Sequence, residues 1–259
     1  MESHDPEIEK TFASVTKSVL GRALNGHGLY GPWLLEHVRA PVRLKSAVSG
    51  QIIVVPSFSY YTEPGERAVT LEESLEEGKK MLGDKDIGRL TLANASSLLS
   101  PIKLYSPDVM FGTNITIEEC GVYFWSSHCY ASTWAGHAKY CAYSMWPRNS
   151  EGCFGCEFAM SCKSCLKCYH SVELSRCFEV SHSNSCSDCF FCHNCENLSD
   201  SMFCFNAKGM KYAIGNVEVG KERYEKVKAL VLADILKQLE KNHRLDWNVF
   251  NIGGAKKTK

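Results

Sequence analysis

The chain has 259 residues, enough for one large or two small domains with a real core. Its 29 Lys and Arg balance its 29 Asp and Glu, which removes any electrostatic argument for nucleic acid or an anionic membrane as a partner. No run of about 18 apolar residues occurs, and the acidic start from Met1 to Pro6 lacks the basic and apolar regions of an export signal. A cytoplasmic setting with reduced thiols is therefore expected, and no membrane contact.

Ile8, Phe12, Val15, Val19 and Leu24 recur at helical spacing over residues 6–24, and Asn25-Gly26 is the expected stop. Gly28, Gly31 and Pro32 then suggest an aromatic turn ending near Trp33. Two strands follow over 42–48 and 51–55, separated by Ser49-Gly50. Thr70 with Glu73 three residues on reads as a capping box for an acidic surface helix reaching about Leu82. Strand-like residues 102–105 and 109–117 complete an N-terminal α+β region over 1–115.

From there the cysteines take over. All 14 lie at residue numbers divisible by three, from Cys120 to Cys204, and no charged residue enters that frame between Ile117 and Met210. A triplet period is neither helical nor simple strand; it fits a coil whose sides each point one residue inward before the chain turns a corner. A period of 12 places Cys129, Cys141, Cys153, Cys165, Cys177 and Cys189 in one column, which gives four sides of three residues. Outward residues fall into register as well: Tyr130, Phe154, Leu166, Phe178, Phe190 and Met202 form one column, and Trp134, Trp146, Phe158, His170, His182, Asn194 and Asn206 another. The fold class is thus mainly β: a narrow parallel β-solenoid with 12-residue coils over 116–210, about seven coils in all.

Beyond Met210, Gly215-Asn216 is placed as a two-residue hairpin loop, and residues 221–242 carry Val227, Val231, Ile235 and Leu239 on one helical face. Hairpin and helix, over 211–250, serve as a cap, because solenoids need their open ends covered. Residues 251–259 are expected to be a disordered tail.

The sequence Phe203-Cys204-Phe205-Asn206, followed by Lys211-Tyr212, Ile214, Asn216, Val219, Lys221-Glu222 and Tyr224, resembles the ending of uncharacterised cysteine-rich CxxC-repeat proteins of uncultured bacteria and archaea. That resemblance covers about residues 150–228 and implies no activity.

Four thiolates are what structural zinc or an iron-sulfur cluster requires. Cys186, Cys189, Cys192 and Cys195 occupy four successive sides and form the leading candidate set; Cys153, Cys156, Cys165 and Cys168 form a weaker one. Against this stands inert packing, since cysteine is a small hydrophobe suited to a narrow axial core. Cysteines six apart, such as Cys162 and Cys168, face each other and offer transverse disulfides instead. Cys189-Phe190-Phe191-Cys192-His193 also matches the attachment motif of c-type haem, although both thiols point inward. No nucleophile elbow, phosphate loop or HExxH motif occurs, so catalysis is not indicated. The leading expectation is a non-catalytic structural or interaction module, with a thiolate metal or iron-sulfur protein as the alternative. The apolar face of Tyr130, Phe154, Leu166, Phe178, Phe190 and Met202 must be covered by the chain's own helices, by a protein partner or by self-association.

Overall fold

The computed structural model describes residues 3–254. At its centre is a parallel β-solenoid of about nine coils of about 12 residues. Adjacent coils pair in parallel, with Lys163 opposite Glu151, Cys165 opposite Cys153, and Leu166 opposite Phe154. The same offset sets Phe190 on Phe178 and Met202 on Phe190.

Each corner falls on the residue just before an inward one. Non-glycine residues there adopt φ between 45° (Ala131) and 58° (Val122), repeating through Tyr212. L-residues pay roughly 1–2 kcal/mol for left-handed geometry. Asn149, Asp188, Asn194, Asn197 and Asp200 reduce that cost, as do Gly152, Gly155 and Gly209 in the same frame. Elsewhere ring stacking along the axis offsets it: Trp134 on Trp146 (centroids 5.0 Å), Trp146 on Phe158 (5.2 Å), Phe158 on His170 (4.7 Å) and His170 on His182 (5.1 Å). Asn194 Nδ2 donates to Asn206 Oδ1 (2.8 Å) further along that column.

The solenoid is longer at both ends than the expected seven coils. Strand β3 (Met110–Phe111) pairs with Tyr123 and Phe124, one residue beyond the regular offset, so the first turn carries an extra residue that hides it from the triplet frame. Strand β4 (Ile115–Glu118) restores the offset, pairing with Ser127–Tyr130. At the other end Lys211–Ile214 pairs in parallel with Ser199–Met202, then turns back antiparallel on Val217–Glu218 through Gly215 (φ 60°) and Asn216 (φ 62°). The Asn216 amide closes the last coil, accepting from Phe205 N–H (2.8 Å) and donating to Phe205 O (2.7 Å).

Helix α1 (Pro6–Leu20) starts where Asp5 accepts from Glu7 N–H (3.0 Å) and ends at Gly21 (φ 84°), four residues before the expected stop. Residues expected to form an aromatic turn are instead helix α2 (His27–Leu34). Its second glycine packs closely: a Cβ on Gly31 would stand 3.0 Å from Tyr143 Cε1, so the ring would have to give way. Both expected strands are present, β1 (Val42–Lys45) ending short of Val48 and β2 (Ile52–Val55) close to its expected span, and they pair antiparallel. Beyond the short α3 (Ser59–Thr62), the capping box is present and opens α4 (Leu71–Glu77), which stops short of Leu82. Two further short helices, α5 (Asp84–Ile87) and α6 (Ala95–Leu99), follow. Of the strand expected over 102–105 only one bridge remains, Ala68 to Tyr105. Helix α7 (Lys221–Asn242) matches its expected span. Residues 251–254, expected to be disordered, form a turn in which Ile252 N–H donates to Asn248 O (3.0 Å); residues 255–259 lie outside the described residues.

The apolar column proves to be an internal seam. Tyr130, Phe154, Leu166, Phe178, Phe190 and Met202 are buried beneath Ile8, Phe12 and Val15 of α1, Trp33 and Leu34 of α2, and Tyr224, Ile235 and Leu239 of α7. Phe12 meets Phe154 edge to face (5.2 Å). Of the covers expected for this face, the chain's own helices supply it, and the Tyr130–Met202 column is no longer open for a partner or a second copy. No helix among the described residues is long and apolar enough to cross a membrane.

Candidate functional site

All 14 cysteines are buried and unbridged. Their frame has a role that the period alone does not reveal. The β ladder uses the N–H of the residue after each inward one, as when Tyr130 N–H donates to Cys141 O (3.0 Å), and of each corner residue, as when Tyr143 N–H donates to Tyr130 O (3.0 Å). Where the inward position one coil earlier holds serine, and after Cys120 and Cys156, the inward residue's own N–H turns instead to that side chain; Ser150, Ser171, Cys186 and Cys192 follow Ala138, Ala159, Leu174 and Val180, which offer no acceptor. Cys156 N–H donates to Ser144 Oγ (3.2 Å), Cys162 N–H to Ser150 Oγ (3.2 Å), Cys168 N–H to Cys156 Sγ (3.4 Å) and Cys195 N–H to Ser183 Oγ (3.1 Å). Buried N–H groups need partners, so serine and cysteine here complete the backbone's hydrogen bonding as well as filling space. Pro147, which has no N–H, stands one coil after Ala135, which offers no acceptor.

The thiol protons go the other way, to carbonyl oxygens. Cys186 Sγ donates to Asn184 O (3.3 Å), Cys189 Sγ to Ser187 O (3.2 Å), Cys192 Sγ to Phe190 O (3.4 Å) and Cys195 Sγ to His193 O (3.3 Å). These four do follow one another around a single turn, as expected. Hydrogen bonds from Cys177, Cys186 and Cys192, together with burial, push the Cys189 thiol well up, whereas the Cys192 hydrogen bond holds Cys195 down at about 7. Cys153, Cys156, Cys165 and Cys168 are likewise brought together on two adjacent coils, with Cys165 Sγ donating to Lys163 O (3.4 Å) and Cys168 Sγ to Leu166 O (3.7 Å). At the solenoid's start, burial pushes Cys120 up to about 12.

Neither set fits a metal as it stands. A metal ligand must be a thiolate, and each of these thiols would have to give up the hydrogen bond it donates to a backbone carbonyl. Among the described residues no group of three or more His, Cys, Asp or Glu side chains has the geometry to hold an ion. The haem-like motif is split by the coil wall: Cys189 and Cys192 point inside, while His193 lies on the outer surface with Nδ1 2.6 Å from Ser181 Oγ. His170 and His182 stack face to face, 16° from parallel, so their nitrogens do not converge.

A second cluster escaped the sequence reading. Lys167 and Glu179 lie one coil apart on the corner column that also holds Tyr143, Gly155 and Phe191, and both are fully buried. Lys167 Nζ donates to Trp33 O (3.0 Å), lies 3.3 Å from Glu36 Oε2 and 3.5 Å from Glu179 Oε1, and sits over the Trp33 ring (4.8 Å). Glu179 Oε2 accepts from Val249 N–H (3.0 Å), tying down the segment after α7. Burial outweighs Lys167 and raises Glu179 to about 7. Burial also raises the Tyr169 hydroxyl well above its ordinary value and lowers His37. Opposite charges at 12-residue spacing in an apolar column were the available signal. Because the ion pair is sealed from solvent, it serves as a lock between α2, the solenoid and the C-terminal segment.

A cleft of about 330 Å³ lies between α2, β2 and the solenoid, walled by Pro32, Leu35, Pro41, Val54 and Tyr143, with the Arg43–Glu119 pair (2.6 Å) at its edge. Arg43 is paired with Glu119 there, and the Tyr143 hydroxyl of the cleft wall lies 3.0 Å from His27 Nδ1. No family model matches the chain, and no curated protein matches it.

Proposed function

We propose that the chain is a cytoplasmic, non-catalytic structural or protein-interaction module, in which a rigid solenoid holds out a segment for a protein partner. One observation carries this: no residue from 71 to 106 is buried, although the segment holds α4, α5 and α6. Leu75, Met81, Ile87, Leu90 and Leu92 are all exposed on it, Leu92 almost completely at 98%. Exposed apolar residues at this density mark interaction surfaces. The segment is anchored at its base, where Arg67 donates to Ser100 O and Ser100 Oγ (both 2.7 Å). The interior supports the same role, since its serines and thiols are engaged with backbone and its ion pair is sealed.

Photocrosslinking from Leu92 in an extract of the source organism tests the proposal. One discrete protein adduct is expected, lost in Leu75→Ser/Ile87→Ser and not formed from a crosslinker at Lys163 on the polar face. Adducts insensitive to those substitutions, or turnover of a small-molecule substrate by the purified chain, would overturn it.

A further inference from the structure

The two ends of the solenoid are finished differently. At the C-terminal end the Asn216 amide occupies the Phe205 peptide, Glu218 Oε1 accepts from Lys211 N–H (2.8 Å), and Val217–Glu218 folds back along the last strand. At the N-terminal end β2 packs across Gly121, leaving room for no side chain there: a Cβ would stand 2.4 Å from Val54 O. Among the described residues the rest of that rim gains no further strand, and the start of the chain meets it only at the end of β4, where Ser3 Oγ (2.7 Å) and His4 N–H (2.9 Å) donate to Glu118 Oε2. Strand β4 pairs on one edge only, with Ser127–Tyr130, and β3 pairs on one edge only, with Gly121–Phe124.

An open strand edge is a template for another strand, and proteins ordinarily blunt it with lysine, proline or a cover. Neither lysine nor proline is present within β3 or β4, whose sequences are Met-Phe and Ile-Thr-Ile-Glu, and the one charge is Glu118 at the end of β4. The side chains around the edge are instead apolar and exposed: Met110 40%, Phe111 60%, Ile115 54% and Trp125 52%. They are contiguous, since Trp125 lies against Gly112, between Phe111 and Ile115 along the chain, where a Cβ would meet its ring at 2.2 Å. At roughly 200 Å² per large side chain, these four expose about 400 Å² of apolar surface. A standard interface takes about 800 Å² from each partner, a little over half of it apolar. The rim thus supplies nearly the whole apolar share of one side.

We infer that the N-terminal rim is a self-association surface, on which a second copy of this chain docks end to end. The rim directly follows the 71–106 segment along the chain, and this inference deepens the interaction role proposed above, on which it rests. Because the C-terminal end is closed by its own chain, head-to-tail stacking is excluded. Head-to-head docking remains, about a two-fold axis that sets β4 antiparallel to its copy and closes the assembly at two chains.

Sedimentation velocity of the full chain between about 1 and about 100 µM should show a dimer. Ile115→Lys and Phe111→Glu, checked for fold by circular dichroism and thermal melting, should weaken it by about 30-fold or more, as removal of a central apolar contact does. Val217→Lys and Leu230→Lys, at the hairpin and on the outer face of α7, should leave it unchanged. A Thr116→Cys chain should form an intermolecular disulfide on mild oxidation, a result independent of whether the charged variants fold. A wild-type monomer at the highest concentration, an open-ended series of oligomers, or a dimer indifferent to both rim substitutions would each overturn the inference. A monomer that still gives the discrete Leu92 adduct to a different protein would overturn self-association alone and leave the interaction role standing.

Discussion

Ser150 isolates the hydrogen-bonding role of the inward column from its packing role. Its hydroxyl donates to Arg148 O (2.9 Å), lies 3.2 Å from Ala159 O, and accepts from Cys162 N–H (3.2 Å) one coil later. Ser150→Ala removes one small atom, so the packing loss is minor, but it strips a buried N–H of its partner. Such a group costs about 1–3 kcal/mol. For a chain of this size each kcal/mol shifts Tm by roughly 2–4 °C, so a drop of about 4–8 °C is expected for a mid-range loss. Ser150→Cys keeps a donor and an acceptor in the same place, as Cys156 does for Cys168 N–H, and should cost below about 1.5 kcal/mol. Thermal melting followed by far-UV circular dichroism, backed by urea titration, reads both. If Ser150→Ala melts with the wild type while Ser150→Cys is the more destabilised, the column is a space filler and the assigned hydrogen-bond relay is wrong.

The buried ion pair gives two more tests. Glu179 sits near 7 in the folded chain against an ordinary 4.5, so the stability linked to its protonation is full below pH 4.5 and lost as pH rises through about 7. At 1.36 kcal/mol per pKa unit the difference is on the order of 3 kcal/mol, and Glu179→Gln, which keeps an acceptor for Val249 N–H, should flatten the fall in urea midpoint between about pH 5 and 8. Lys167→Met strands the Glu179 carboxylate and should cost about 3–5 kcal/mol at pH 8, whereas Lys167→Met/Glu179→Leu should recover most of it; equal losses in both would disprove the pairing. A chelator should leave Tm unchanged, because the thiols of Cys186, Cys189, Cys192 and Cys195 are spent on carbonyl oxygens; a fall that zinc reverses would restore the four-thiolate site.

The coil period was legible because its inward frame is chemically narrow: only small uncharged or apolar residues fit a four-sided core, so cysteine spacing displays the geometry directly. The hairpin at Gly215-Asn216 and helix α7 were legible for a local reason, each being set by residues within a few positions of one another. Helix α2 was not. Its Gly28, Gly31 and Pro32 argue against helix in isolation, and its stability comes from docking against Tyr143 and the corner at Gly155, where a Cβ would stand 2.8 Å from Leu34 O. The same limit hid the lock at Lys167 and Glu179, whose meaning depends on α2 and the segment near Val249 arriving from opposite ends of the chain. The apolar column was read correctly as needing cover, but which segment supplies it is a long-range question that no periodicity answers.

The two long helices bear on how this gene can change length. A repeat in which each coil touches only its neighbours can gain or lose a whole coil by in-frame duplication, and the triplet frame would survive it. Here, however, α1 is laid along the seam from Tyr130 toward Leu166 and α7 along its far end, while Glu36 and Val249 grip the coils of Lys167 and Glu179. An extra coil slipped between Cys165 and Cys177 would pull those anchor points out of reach. The helices therefore act as rulers, freezing the coil number where they lie.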